Sequence, residues 1–241
     1  MINKPAFKKT AYDSSFIGAL TYTIHQLTKE GEHVATVYLN NQIISYFNIN
    51  FDKEAKSDQV DIDLGTITPQ SRVAYEGNSI EVGGEGYVVF YNSKNDNSYK
   101  IVIQRMENKK MVKCFDSTKL KKGDLFVAYP IRPGKYHISG SSSKNVTELE
   151  VLYPSEEMIR KPGQIEQPIK LKSQESGFGM ETAKIVPGQG IIFEFDDPAK
   201  VNIKQFEFNE KAVRPRRSAK LSKQKKRKTP PLTAKWTNPR F

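Results

Sequence analysis

From Lys211 to its end the chain carries twelve cations and no acid. Nine of them, Arg214, Arg216, Arg217, Lys220, Lys223, Lys225, Lys226, Arg227 and Lys228, crowd into RPRR, KKRK and the short stretch between. The chemistry open to such a set is electrostatic. Each Lys or Arg that meets a phosphate releases condensed counterions, which gives salt-dependent binding without sequence preference. Pro215, Pro230, Pro231 and Pro239 keep the segment from entering a duplex groove as a helix. An extended arm lying along RNA or DNA is therefore expected. An acidic protein is the alternative partner, and a solvated end with no partner is the plain one. The last residues differ in kind, because PPLTAKWTNPRF holds the single Trp of the chain. Trp236 stacks on a base or, with Leu232 and Phe241, anchors the end in a protein pocket; the apolar neighbours favour the pocket.

Elsewhere the residues that could do chemistry are few. There are three histidines, His25, His33 and His137, and one cysteine, Cys114. A single cysteine excludes an intramolecular disulfide framework and a multi-thiolate metal site, so Cys114 reads as a buried or half-buried thiol in a strand. The spacing gives no reason for these four residues to meet. The chain contains no G-x-S-x-G, no P-loop and no H-E-x-x-H, and each of those spacings is what its chemistry needs. GGEG at 83–86 and PGQG at 187–190 open onto strands, so they read as tight turns or bulges and not as phosphate loops. Glu156–Glu157 and Asp196–Asp197 are adjacent pairs, and strand neighbours point to opposite faces. The expectation is a non-enzymatic protein with no metal and no cofactor.

The net charge of +11 belongs to the arm. Removing its twelve cations from the 38 Lys and Arg leaves 26 against 27 acids in residues 1–210. A near-neutral body is not built to coat a polyanion. The first residues lack the apolar run of a signal peptide, and no stretch approaches a membrane span. A soluble protein of a reducing compartment is expected, in the cytoplasm or within a virion or large particle, or in the nucleus of a eukaryotic host. The acceptor triplet at Asn145 is then a chance match.

The elements that must position these residues are strands. Short β-branched and aromatic runs alternate with Gly, Asn, Asp and Pro about every ten residues, the pattern of a sandwich or barrel. Residues 19–27, 33–40 and 42–51 read as a meander turning at Gly31 and at Asn40–Asn41. A helix over 16–27 is the alternative, since Phe16, Leu20, Ile24 and Leu27 share a helical face; the Thr-Tyr-Thr-Ile content favours a strand. The densest β signal spans 79–153. Residues 155–168 lose the alternation and hold two prolines, and a last β block follows at 184–208.

Two stretches share one order of events. SIEVGGEGYVVFYNSKNDNSYKIVI at 79–103 and AKIVPGQGIIFEFDDPAKVNIKQF at 183–206 each run strand, Gly turn, aromatic strand, Asp turn, strand. With PGKYHI at 133–138, this resembles the cupredoxin-like sandwich; immunoglobulin-like and jelly-roll topologies give much the same pattern. The resemblance implies no copper centre, which needs a Cys and two His near one end. Tyr99 stands where that family often places a His, and no Cys, His or Met follows PGKYHI before Asn145.

The expected organisation is all-β: one or two antiparallel sandwich units with an extended basic tail. The expected segments are an N-terminal meander at 1–58, a sandwich core at 59–154, a linker at 155–176, a second β block at 177–210 and the arm at 211–241. The expected function is a structural or assembly protein, capsid-like or part of a ribonucleoprotein particle, whose body contacts proteins and whose arm binds RNA or DNA. The alternative is an accessory subunit whose tail threads into an acidic protein.

Overall fold

The computed structural model describes residues 7–67, 79–94, 96–141, 145–153, 166–174 and 177–207. The chain divides into two compact units, Met1–Phe208 and Asn209–Phe241, and every described residue lies in the first. The β-rich runs become strands in sequence order. The first eight are β1 (Ala11–Asp13), β2 (Thr21–Gln26), β3 (Gly31–Leu39), β4 (Gln42–Phe51), β5 (Gln59–Asp63), β6 (Ile80–Val82), β7 (Tyr87–Tyr91) and β8 (Tyr99–Glu107). The second eight are β9 (Lys110–Asp116), β10 (Asp124–Ala128), β11 (Gly134–Gly140), β12 (Thr147–Val151), β13 (Ile169–Ser173), β14 (Thr182–Ile185), β15 (Ile191–Phe195) and β16 (Val201–Glu207).

They form three open sheets. A shared six-stranded sheet has the order β13-β15-β10-β2-β7-β5, and two five-stranded sheets have the orders β6-β4-β3-β8-β9 and β1-β16-β11-β12-β14. The architecture is all-β and sandwich-like, with mixed sheets. The expectation of purely antiparallel pairing is corrected at four places, because β4–β6, β5–β7, β12–β14 and β13–β15 run parallel. The cause is that the chain changes sheet between these strands and returns in the same direction. The expected meander divides for the same reason: β3 and β4 pair as a hairpin, while β2 joins the shared sheet.

The order of the shared sheet reads the same from either edge inward, and this reflects an internal duplication that the sequence shows only faintly. Strands β1–β8 and β9–β16 follow one itinerary. The stretches at 79–103 and 183–206 are equivalent parts of it, each passing from a flanking sheet to the shared sheet and back. The equivalence reaches single hydrogen bonds. Ile101 N–H donates to Ser117 Oγ at 3.0 Å, as Val201 N–H donates to Ser14 Oγ at 2.9 Å. Ser117 N–H returns a bond to Ile101 C=O at 3.0 Å, and Ser14 N–H to Val201 C=O at 2.9 Å. Asp116 accepts from Thr118 N–H as Asp13 accepts from Ser15 N–H. Leu20 and Gly123 hold the same left-handed position, with φ of 61° and 91°.

The first strand of each half is exchanged: β1 pairs with β16 and β9 with β8. Exchange of an identical element is a familiar route to joining two copies, here within one chain. A single cluster of buried apolar side chains runs through all three sheets, with Phe90, Phe126 and Phe193 of the shared sheet fully enclosed. The two buried serines test the equivalence. Ser14→Ala and Ser117→Ala each leave one buried amide without its acceptor and should each cost about 1–3 kcal/mol. Urea unfolding of both variants should give matching losses; a loss at one serine alone would contradict the equivalence.

Candidate functional site

The inward face of β2 alternates Thr21, Thr23 and His25, all buried. In the β2–β10 register His25 lies opposite Asp124, the first residue of β10. The Nδ1 atom of His25 stands 2.7 Å from Asp124 Oδ1, with the two residues 6% and 1% exposed. The other carboxylate oxygen accepts from Lys121 N–H at 2.9 Å, which closes the turn leading into β10. The His25 ring lies on Phe115 with centroids 4.5 Å apart. A carboxylate at Nδ1 fixes the proton there and leaves Nε2 as the working nitrogen. Nε2 has no hydrogen-bond partner among the described residues, and His25 lines a cavity of about 290 Å³.

His33, on β3 opposite Arg105, shares that cavity, with Nδ1 2.9 Å from Gly31 C=O. Burial pushes its pKa down, and Arg105 and His25 push the same way, so the ring is neutral near pH 7. Cys114, on β9, is half-buried, and its thiol makes a long contact to Val112 C=O at 3.6 Å. Burial is the largest influence on it and pushes the thiol up, away from the thiolate a nucleophile requires. Alkylation of Cys114 by iodoacetamide below about pH 8.5 should run several-fold slower than that of a small free thiol. Equal rates would show that burial does not govern it.

The rim is cationic. Arg105 and Lys29 both bind Glu107, at 2.7 Å from Arg105 Nε and 3.3 Å from Lys29 Nζ, and the Arg105 hydrogen bonds hold that carboxyl below its ordinary range. Lys113 pairs with Asp116 at 2.9 Å. Lys121 and Lys122, both exposed, complete the rim. Among the described residues no group of three or more His, Cys, Asp and Glu is placed to hold a metal.

The expectation that the histidines and the cysteine stay apart is corrected for three of the four. His25, His33 and Cys114 meet because β2 crosses into the shared sheet beside β10 while β9 folds back along β8. His137 does not join them; it lies on β11 and stacks on Phe206 with centroids 3.9 Å apart. Asp124, which no motif in the sequence singles out, is the residue that orients His25. The one signal for it was the likeness of YDSSFIGALT to FDSTKLKKGD. The predicted nucleic-acid contacts Arg214, Arg216, Arg217, Lys220, Lys223, Lys225, Lys226, Arg227 and Lys228 lie outside the described residues, as do the anchors Leu232, Trp236 and Phe241. No family model, curated protein or solved structure matches this chain.

Proposed function

We propose that the protein is a non-enzymatic structural subunit: a β body that packs against proteins, and a basic C-terminal arm that binds RNA or DNA without sequence preference. The observation that carries this is the partition of charge, +11 over the whole chain with every net positive charge beyond residue 210. Arg214, Arg216, Arg217, Lys220, Lys223, Lys225, Lys226, Arg227 and Lys228 take the phosphates, and Leu232, Trp236 and Phe241 anchor the arm's end in a partner protein. The body's part is supported by the shared sheet. Opposite its core-facing side it presents the half-buried Tyr22, Ile24, Tyr91, Leu125 and Ile192, a more apolar surface than a solvated sheet face normally offers.

The turn chemistry shared by 79–103 and 183–206 supports a cupredoxin-like ancestry for each half, without copper. No helix among the described residues is long and apolar enough to cross a membrane. A cytoplasmic or particle-bound subunit fits this reading. The experiment is purification of the native complex at low salt, followed by its absorbance ratio at 260 and 280 nm and nuclease treatment. Co-purifying nucleic acid that is released at high salt supports the reading. A low ratio with a co-purifying acidic protein would overturn it in favour of an accessory subunit.

A further inference from the structure

The duplication supplies an internal control for the His25 cavity. At the opposite end of the body the same turn is closed by Thr21, whose Oγ1 accepts from Gly18 N–H at 2.9 Å, as Asp124 Oδ2 accepts from Lys121 N–H at 2.9 Å. A neutral hydroxyl is therefore enough to build this turn. In the equivalence set by the β2–β10 pairing and the repeated turns, Ala128 takes the place of His25 and Gln205 that of Arg105. Gly18 and Ala19 take the places of Lys121 and Lys122. The fold closes both ends and both carry charge, since Lys9 donates to Ala19 C=O at the opposite turn and Arg132 and Glu207 stand in the places of Lys29 and Glu107. Only one end places a His and a carboxylate across the β2–β10 contact. A buried carboxylate costs desolvation that a buried hydroxyl avoids, so the choice of Asp124 with His25 at this end answers to something other than closing the turn.

We infer that the His25–Asp124 cavity is a binding site for a small oxyanion of the phosphate class. Three observations point there. His25 is more than nine-tenths buried and lines the cavity, and its Nε2 has no hydrogen-bond partner among the described residues. Lys121 and Lys122 form no ion pair among the described residues, whereas Arg105, Lys29 and Lys113 are matched by Glu107 and Asp116. The cavity of about 290 Å³ sits at the small end of ligand pockets, room for a phosphate or a compact phosphate ester but not for a polymer. An oxyanion in the cavity has the unpaired Lys121 and Lys122 on its rim, and a hydrogen bond from an ammonium to an oxyanion is charge-assisted. The inference does not rest on the arm.

The test uses the full chain, inorganic phosphate and a nucleoside monophosphate, with the side-chain NMR resonances of His25 as the local readout. Phosphate should move the His25 resonances and raise the melting temperature. The monophosphate doing so at lower concentration would place the ester, and not the free ion, as the ligand. Two variants copy the residues of the opposite end: His25→Ala with Asp124→Thr, and Lys121→Gly with Lys122→Ala. Both should fold. The lysine variant should lose the phosphate-induced shift of His25, and both should lose the rise in melting temperature. His25 resonances that ignore both probes, or a lysine variant that responds like the parent chain, would overturn the inference.

Discussion

Truncation after Phe208 should abolish measurable binding to a nucleic-acid duplex or single strand, a fall of at least about a hundredfold from the micromolar affinity expected of six to ten phosphate contacts at moderate salt. The reason is arithmetic. The segment removed holds twelve cations and one acid, Glu210, while residues 1–208 hold 26 cations against 26 acids. A balanced surface releases few net counterions. The cationic rim of the His25 cavity does not change this, since its lysines and arginine are already counted among the cations of that balanced body. Replacing Lys225, Lys226, Arg227 and Lys228 by glutamine should produce an intermediate loss. Fluorescence anisotropy with one labelled oligonucleotide reads all three chains. Binding by the truncated chain at the full-length affinity would move the interface onto the body.

His25→Ala alone should destabilise the body by about 3 kcal/mol, because it leaves the Asp124 carboxylate enclosed with only the Lys121 amide to answer its charge. Adding Asp124→Thr should recover most of that loss. Threonine keeps the bond that closes the turn, as Thr21 does at the other end, and it carries no charge to desolvate. The two substitutions thus couple strongly, which a double-mutant cycle on urea-unfolding free energies measures directly. Additive losses would mean that the pair is not acting as a unit. They would also weaken the case that one end of the duplicated body departs from what the fold requires.

How much of this could be read from sequence follows the range of the interactions. Strand content was legible because it is local: TYTIHQ alternates, and β2 alternates buried and half-buried residues as expected. The Asn40–Asn41 turn was legible for the same reason, with φ of 51° and 62° at the two residues, the left-handed pair that a tight hairpin needs. The helix alternative over 16–27 shared its apolar spacing with the strand. It fails at Leu20, whose φ of 61° ends any right-handed helix. The parallel pairings were not legible, because nothing in a strand states which sheet its successor joins. The duplication was hidden by divergence, with YDS and FDS the clearest shared remnant. His25 and Asp124 lie 99 residues apart, and only the central antiparallel pair of the shared sheet brings them together.

The measurement that bears most directly on the division between body and arm is the salt dependence of nucleic-acid affinity for the full-length chain. With six to ten phosphates engaged, a plot of log affinity against log salt for duplex DNA should fall with a slope of roughly −5 to −9. An affinity that holds nearly constant as salt rises would contradict the account, because binding would then not come from the arm's cations.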